Sequence, residues 1–260
     1  MNERPRLVYA GKEILLQASD GEPAQVPDAA LIAAGGRILD SFCMRPQGID
    51  VVRVDAASGT GGAEAVTTTA PDGCMWGPLR QLLGSGSKWG CVASRALGFL
   101  NWRRDHAYCG RCGVRLETHP VEVARCCPAC GRMDWPDVSP AVIVRVEKEG
   151  KILLARHAYR NRDVFACIAG HVEAGETAEE CVHREVREET GLEVQQLCYR
   201  GSQHWPFPNQ LMLAFTAQWA SGELHLQASE LDEAGWFDPE HLPRTPLPGS
   251  VAYRLIHGLF

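Results

Sequence analysis

Residues 170–192, GHVEAGETAEECVHREVREETGL, decide the fold of this 260-residue chain, because they predict one strongly marked helix. Thr177 and Glu180 have the spacing of a capping box, which favours a helix that begins there. Gly191 is typical of a helix C-terminus, where a left-handed backbone conformation is needed. The predicted helix therefore starts after Thr177 and stops at Gly191.

The predicted helix carries an acidic cluster. Glu185, Glu188 and Glu189 are spaced so that all three carboxylates share one face, and Glu176 lies just before the helix. Like charges at this spacing destabilise an isolated helix by about 0.2–0.5 kcal/mol per pair. Mg²⁺ or Mn²⁺ would neutralise them, because hard divalent cations prefer oxygen ligands. The alternative interpretation is an acidic helix face in water.

The whole stretch has the pattern G-x5-E-x7-R-E-U-x-E-E-x-G-U, in which U is aliphatic. It resembles the Nudix box, and every fixed position matches. The resemblance implies an α+β fold, the Nudix α/β/α sandwich with a mixed sheet. It also implies metal-dependent hydrolysis of a nucleoside diphosphate derivative.

Other segments support a sheet packed between helices. PAVIVRV and KILLARH flank a turn, and LEVQQLCYR, LMLAFTAQW and ELHLQ follow with the alternation of strands. SVAYRLIHGLF predicts a closing helix. Nearer the start, RLVYA and EILLQ predict two strands joined by a turn, and WGCVASRALGFLNW has helical spacing. We therefore expect three domains: an N-terminal α+β domain over 1–103, a cysteine-rich ribbon over 104–136 and the Nudix domain over 137–260.

Two CxxC pairs lie in the middle region, and their spacing predicts a structural Zn²⁺ site. The four ligands would be Cys109, Cys112, Cys127 and Cys130. Cys126 is a competing ligand, and a redox pair or unrelated free thiols are the other interpretations. Six arginines nearby could contact phosphate or simply be solvated: Arg103, Arg104, Arg111, Arg115, Arg125 and Arg132.

A ribbon before a Nudix box resembles the NADH pyrophosphatase family of NudC type. Residues 202–210, SQHWPFPNQ, strengthen this resemblance, since seven of the nine fit that family's SQPWPFPxS. The resemblance implies hydrolysis of NAD(H) to AMP and nicotinamide mononucleotide, removal of NAD caps from RNA, and a homodimer.

The resemblance also implies roles for individual residues. The catalytic glutamates would be Glu176, Glu185, Glu188 and Glu189. The ligands of the catalytic metal would be Glu185, Glu189, Glu230 and the carbonyl of Ala169. The dinucleotide pocket would be lined by Gln203, His204, Trp205, Pro206, Phe207, Pro208, Asn209, Gln210, Ala252 and His171.

Three of these pocket positions differ from the family pattern. The family usually has Phe at His171, Pro at His204 and Ser at Gln210. Two rival functions therefore stay open. One is a Nudix hydrolase for another substrate, such as ADP-ribose or a dinucleoside polyphosphate. The other is a zinc-ribbon regulator that binds a nucleotide or RNA without hydrolysis.

The bulk composition narrows the class of protein. The formal net charge of -6 gives no overall attraction to nucleic acid or anionic membranes. No apolar run is long enough to span a bilayer, and the N-terminus lacks the apolar core of a signal peptide. We expect a cytoplasmic protein that does not bind membranes.

Overall fold

A computed structural model describes residues 4–56, 69–158 and 163–260. The chain divides into two compact units, Met1–Asp137 with Pro206–Asn209, and Val138–Trp205 with Gln210–Phe260. The predicted ribbon therefore clusters with the N-terminal region, and the division into three domains stays a prediction. Among the described residues, no helix is both long and apolar enough to cross a membrane.

The described residues of the first unit form two sheets and three helices. Its strands are β1 Arg6–Ala10, β2 Glu13–Gln17, β3 Gly36–Met44, β4 Ile49–Ala56, β5 Cys74–Pro78, β6 Glu117–Thr118, β7 Arg125–Cys126 and β8 Met133–Asp134. Its helices are α1 Asp28–Ala33, α2 Leu79–Gly84 and α3 Gly90–Asp105. The larger sheet has the order β3-β4-β1-β2-β5, and β6-β7-β8 form the ribbon. The predicted hairpin of β1 and β2 and the predicted helix α3 are confirmed.

The described residues of the second unit form one six-stranded sheet. Its strands are β9 Ser139–Lys148, β10 Lys151–His157, β11 Ile168–His171, β12 Glu193–Trp205, β13 Gln210–Ser221 and β14 Leu231–Phe237. Its helices are α4 Ala178–Thr190 and α5 Val251–Ile256. The order is β12-β13-β9-β10-β14, with β11 paired to β9. β13 and β9 run parallel and β12 and β13 antiparallel, so the sheet is mixed.

Alternate residues of β9 enter two separate cores, because successive side chains of a strand point to opposite faces. Val144 packs with Val182 of α4. Ile143 packs with Leu255 of α5. One helix therefore covers each face of the sheet, and the predicted α/β/α sandwich is confirmed.

One predicted strand is wrong. Residues 223–227, ELHLQ, form no strand. The His225 N–H donates to the carbonyl of Thr190 at 2.9 Å, and the Gln227 N–H donates to the carbonyl of Glu189 at 3.0 Å. Because the last carbonyls of a helix have no partner within the helix, this segment satisfies them instead of extending a sheet.

Candidate active site and zinc ribbon

Helix α4 is capped at both ends as predicted. Thr177 Oγ1 accepts a hydrogen bond from the Glu180 N–H at 3.2 Å, and Glu180 Oε2 accepts one from the Thr177 N–H at 2.8 Å. Gly191 ends the helix with a φ of 71°. Val182 and Val186 are fully buried and fix the helix against the sheet. The carboxylates on the neighbouring face are thereby held in place.

Glu189 is a buried carboxylate without a counter-ion among the described residues. The residue is only 6% exposed, and its Oε2 has no hydrogen-bond partner among the described residues. Burial, followed by the charges of Glu185, Glu230 and Glu188, raises the pKa of Glu189 to about 8. An ionised carboxylate in this position needs a compensating cation.

Glu185 lies against the backbone of β11. A Cβ atom at Gly170 would lie 1.9 Å from the Glu185 carboxyl carbon, so only glycine leaves room for this side chain. Ala169 precedes Gly170 on the same strand. Burial is the main cause that raises the pKa of Glu185, although Arg184 donates a hydrogen bond to its Oε1 at 2.8 Å.

Arg184 organises the loop in front of the helix. Its Nε and Nη2 donate to the two oxygens of Glu176 at 2.8 and 3.0 Å. These hydrogen bonds are the main cause that lowers the pKa of Glu176 to about 2. Arg184 also pairs with Glu188 at 3.2 Å and donates to the His171 carbonyl at 2.9 Å. The predicted catalytic residue Glu176 is therefore an ion-pair partner of Arg184 here.

The acidic site fits a divalent cation by its donor chemistry. Glu189 supplies an unsatisfied buried oxygen, and the charges of Glu185 and Glu230 act on it. In the described part of the chain, only cysteines form a group of three or more ligands within 4.8 Å of one another. The carboxylates are thus less converged than the thiols. Mg²⁺ needs only one or two carboxylates, because waters and substrate phosphates complete its octahedron.

The four predicted zinc ligands come together in the ribbon. The Sγ–Sγ distances are 3.7 Å for Cys109–Cys130, 3.4 Å for Cys112–Cys127 and 3.7 Å for Cys112–Cys130. Tetrahedral Zn²⁺ with bonds of about 2.3 Å requires distances of about 3.8 Å. Cys126 does not belong to this group. The four thiols therefore fit zinc. A hydrogen bond from the Arg111 N–H is the largest cause that lowers the pKa of Cys109 to about 6, which favours the thiolate that zinc binds.

In the second unit, Gln203 fixes the start of α5. Its Nε2 donates to the Gly249 carbonyl at 2.7 Å, and its Oε1 accepts from the Val251 N–H at 2.6 Å. Ala252 is the residue after Val251 in α5. Ala252 and Trp205 are both partly buried and pack against the core that contains Leu255 of α5. The predicted pocket residues Gln203, Trp205 and Ala252 thus belong to one region of this unit.

Two positions that differ from the family pattern contact each other. His171 Nε2 and Gln210 Nε2 are 2.8 Å apart. His171 is the last residue of β11 and pairs with Ala141 of β9. Gln210 is the first residue of β13 and pairs with Ser139 of β9. His171 therefore lies one residue from Gly170, on the strand against which Glu185 packs.

The remainder of the motif, Pro206–Asn209, clusters with the first unit. Asn101 Nδ2 donates to the carbonyls of Pro206 at 3.1 Å and Pro208 at 2.8 Å. The Arg80 guanidinium lies 4.7 Å from the centre of the Phe207 ring. Neither Arg80 nor Asn101 was predicted, because each lies about a hundred positions from the turn and has no local signal. Trp205 and Phe207 thus pack in different units.

Comparison with known proteins identifies relatives. The NUDIX domain family matches residues 136–256. The NAD-capped RNA hydrolase NudC of Chromobacterium violaceum is 43% identical over 182 residues, which cover 70% of this chain and 69% of that protein. The NudC of Pseudomonas putida is 36% identical over 242 residues, covering 90% and 87% respectively.

Solved structures give a weaker likeness. A NUDIX hydrolase from Nitrosomonas europaea is 24% identical, with a TM-score of 0.47, and the match covers 58% of this chain and 86% of that one.

Proposed function

Since the chain belongs to the NudC family of Nudix hydrolases, we propose that it hydrolyses the pyrophosphate bond of NAD(H). The products are AMP and nicotinamide mononucleotide. The same reaction at the 5′ end of NAD-capped RNA releases nicotinamide mononucleotide and leaves a 5′-monophosphate. In both cases water adds to one phosphorus, and the bridging oxygen leaves with the other.

The observation that carries this proposal is the environment of Glu189. A buried carboxylate with an unsatisfied oxygen, surrounded by other carboxylates, is unfavourable for folding. A site that binds a cation and a polyphosphate accounts for it. The divalent metal ion, when bound, supplies water activation and neutralises charge on the phosphates.

The chain's own residues hold and orient the reacting groups. Glu185, Glu189 and Glu230, with the Ala169 carbonyl, are the proposed ligands. Arg184 restrains Glu185 through a hydrogen bond of 2.8 Å, so its carboxylate keeps one position. Gln203 fixes the chain at Val251, ahead of Ala252 in the proposed dinucleotide pocket. Positioning and electrostatic stabilisation then supply most of the acceleration.

The decisive experiment is a product assay over a panel of nucleotides with Mg²⁺ or Mn²⁺. NADH, NAD⁺, ADP-ribose, a dinucleoside polyphosphate and NAD-capped RNA are each incubated with the full chain, and the products are separated by chromatography. We expect AMP and the reduced mononucleotide from NADH. Turnover of ADP-ribose without turnover of NADH or NAD⁺ would contradict the substrate assignment and leave the metal chemistry intact.

A second candidate within the same chemistry is another nucleoside diphosphate derivative. The His171–Gln210 contact supports it, because this polar pair stands where the family usually has Phe and Ser. A nucleotide-binding regulator without activity is less well supported, since a pure binding protein needs no full set of metal ligands. We further propose that the protein is cytoplasmic and that it forms a homodimer. Size-exclusion chromatography with light scattering tests the homodimer.

A further inference from the structure

The connection between β12 and β13, Pro206–Asn209, is a turn that contains two prolines. Pro206 and Pro208 have no backbone N–H, so each contributes a carbonyl acceptor to the turn but no donor. The turn follows Trp205 and precedes Gln210, and these two residues pair with each other where the strands meet the turn. The turn is therefore short of backbone donors of its own.

One side chain of α3 bonds both proline carbonyls. Asn101 Nδ2 lies 3.1 Å from the carbonyl oxygen of Pro206 and 2.8 Å from that of Pro208. A side-chain amide carries two N–H groups, so it can donate to both carbonyls at once. Asn101 therefore fixes two carbonyls of the turn, one on each side of Phe207.

The remaining side chains of the turn pack within the same unit. Phe207 is partly buried against the core that contains Leu100 of α3. The Arg80 guanidinium lies over the Phe207 ring, 4.7 Å from its centre. Asn209 Nδ2 donates a hydrogen bond to the Asp137 carbonyl. The turn is therefore held as part of the first unit, although it joins two strands of the second.

An asparagine at position 101 does not serve the helix that carries it. Helix α3 spans Gly90–Asp105, so Asn101 lies inside it. Asparagine is less favourable than alanine inside a helix, because its side chain competes for backbone hydrogen bonds. Its neighbours Leu100 and Trp102 are buried, whereas Asn101 is half-buried. The two hydrogen bonds to the turn account for an amide at this position.

From these contacts we infer that Asn101 is a positioning residue for the proposed binding of the dinucleotide. It fixes the Pro206–Asn209 turn, and the turn fixes the adjoining residues Trp205 and Gln210. Because the turn is ordered before the substrate arrives, binding loses less conformational entropy. The inference rests on the proposed function, and it adds a residue that acts through the turn without contacting the substrate.

Variants of matched size separate the donor from the side chain that carries it. Asn101→Asp keeps the shape but presents an oxygen to the two carbonyls in place of a donor. Asn101→Ala removes the contact and favours the helix. The control is Gln47→Glu, which makes the same amide-to-carboxylate change in the exposed turn between β3 and β4. An effect shared by both Asn101 variants comes from the lost donor and not from the new charge.

Two measurements on the full chain test the inference. Hydrogen–deuterium exchange of residues 203–211 reports the order of the turn without substrate, and we expect faster exchange in both Asn101 variants than in wild type or Gln47→Glu. In steady-state assays with Mg²⁺, the KM for NADH should rise about tenfold in both Asn101 variants, the size expected for two hydrogen bonds. The kcat should stay within about twofold of wild type, as expected when binding is lost and the chemical step is not.

The inference is overturned if exchange of residues 203–211 is unchanged in both Asn101 variants, if KM stays at the wild-type value, or if kcat falls while KM does not rise. Unfolding of Asn101→Ala at the assay temperature, followed by circular dichroism, would also overturn it, because the residue would then support the fold of the first unit as a whole. If wild type does not hydrolyse NADH, the proposed function fails separately. The exchange measurement then decides whether Asn101 orders the turn, and KM is measured for the nucleotide that the chain does hydrolyse.

Discussion

Glu189 is a residue that selection for folding stability alone would not place where it is, because its carboxylate is buried with an unsatisfied oxygen. A glutamate is rarely buried without a partner, and its neighbours Glu185 and Glu230 add to the unfavourable charge. The sequence predicted that Glu189 shares a face with other carboxylates. It could not predict the burial, because that depends on how closely α4 packs against β11.

Replacement of Glu189 by Gln should abolish most of the activity and leave the fold intact. The amide keeps the shape of the side chain but removes a charged metal ligand. We expect turnover of NADH to fall by at least about 10²-fold, the usual cost of losing one electrostatic or acid–base group. The control is Glu179→Gln on the exposed side of the same helix, which should be as active as wild type.

The same residue makes stability depend on pH when no Mg²⁺ or Mn²⁺ is added. The pKa of Glu189 is about 8 in the folded chain, whereas its ordinary value, expected in the unfolded chain, is 4.5. The folded state therefore binds this proton more tightly than the unfolded state does. The contribution of the Glu189 proton to the free energy of unfolding is fully present below about pH 4.5 and is lost as the pH rises towards 8. The free energy of unfolding of wild type, minus that of Glu189→Gln, should fall between pH 5 and 8. A constant difference would contradict this.

His171 and Gln210 should act as a pair in substrate choice. Since their side chains contact each other at 2.8 Å, either single substitution leaves the partner without that contact. His171→Phe and Gln210→Ser should therefore change the kcat/KM ratio of NADH to NAD⁺ non-additively, by at least about twofold. The double variant should prefer NADH more strongly than wild type. Additive effects in this double-mutant cycle would show that the pair is not coupled.

At the scale of elements, local signals determine which predictions succeed. Helix α4 was predictable because a capping box, a terminal glycine and an apolar stripe coincide within its own sequence. The segment 223–227 has the alternation of a strand, yet its N–H groups bind the carbonyls at the end of α4. Alternation alone cannot reveal that competition, since the partner is set by tertiary packing.

The ribbon is an element whose stability should come from metal. Elemental analysis should find one Zn²⁺ per chain, and Cys112→Ser should lose it and destabilise the protein, because structural zinc contributes folding free energy. Cys126→Ser is the matched control, since Cys126 lies outside the thiol cluster, and it should keep both zinc and stability. A stable wild type without zinc would contradict the assignment.

For the whole molecule, sequence reasoning found the sandwich but not the grouping of its parts. The sheet and its two covering helices follow from strand and helix periodicity within residues 138–260. The placement of Pro206–Asn209 with the first unit does not, because it depends on Asn101 and Arg80, far away in the sequence. Likewise, Gln203 was predicted for the pocket, whereas its bonds to Gly249 and Val251 could be seen only in three dimensions.

The net charge of the molecule makes a last prediction about salt. With a formal charge of -6 and a sequence pI of about 5.9, the chain repels NADH at long range, and added salt screens that repulsion. We expect kcat/KM for NADH to stay constant, or to rise up to about twofold, as NaCl increases from about 20 to 150 mM at fixed Mg²⁺. Steady-state assays over this range measure it. A fall of tenfold or more would mean that a basic surface, rather than the metal site, governs capture of the dinucleotide, since steep loss of affinity with salt is the mark of lysine and arginine contacts to phosphate.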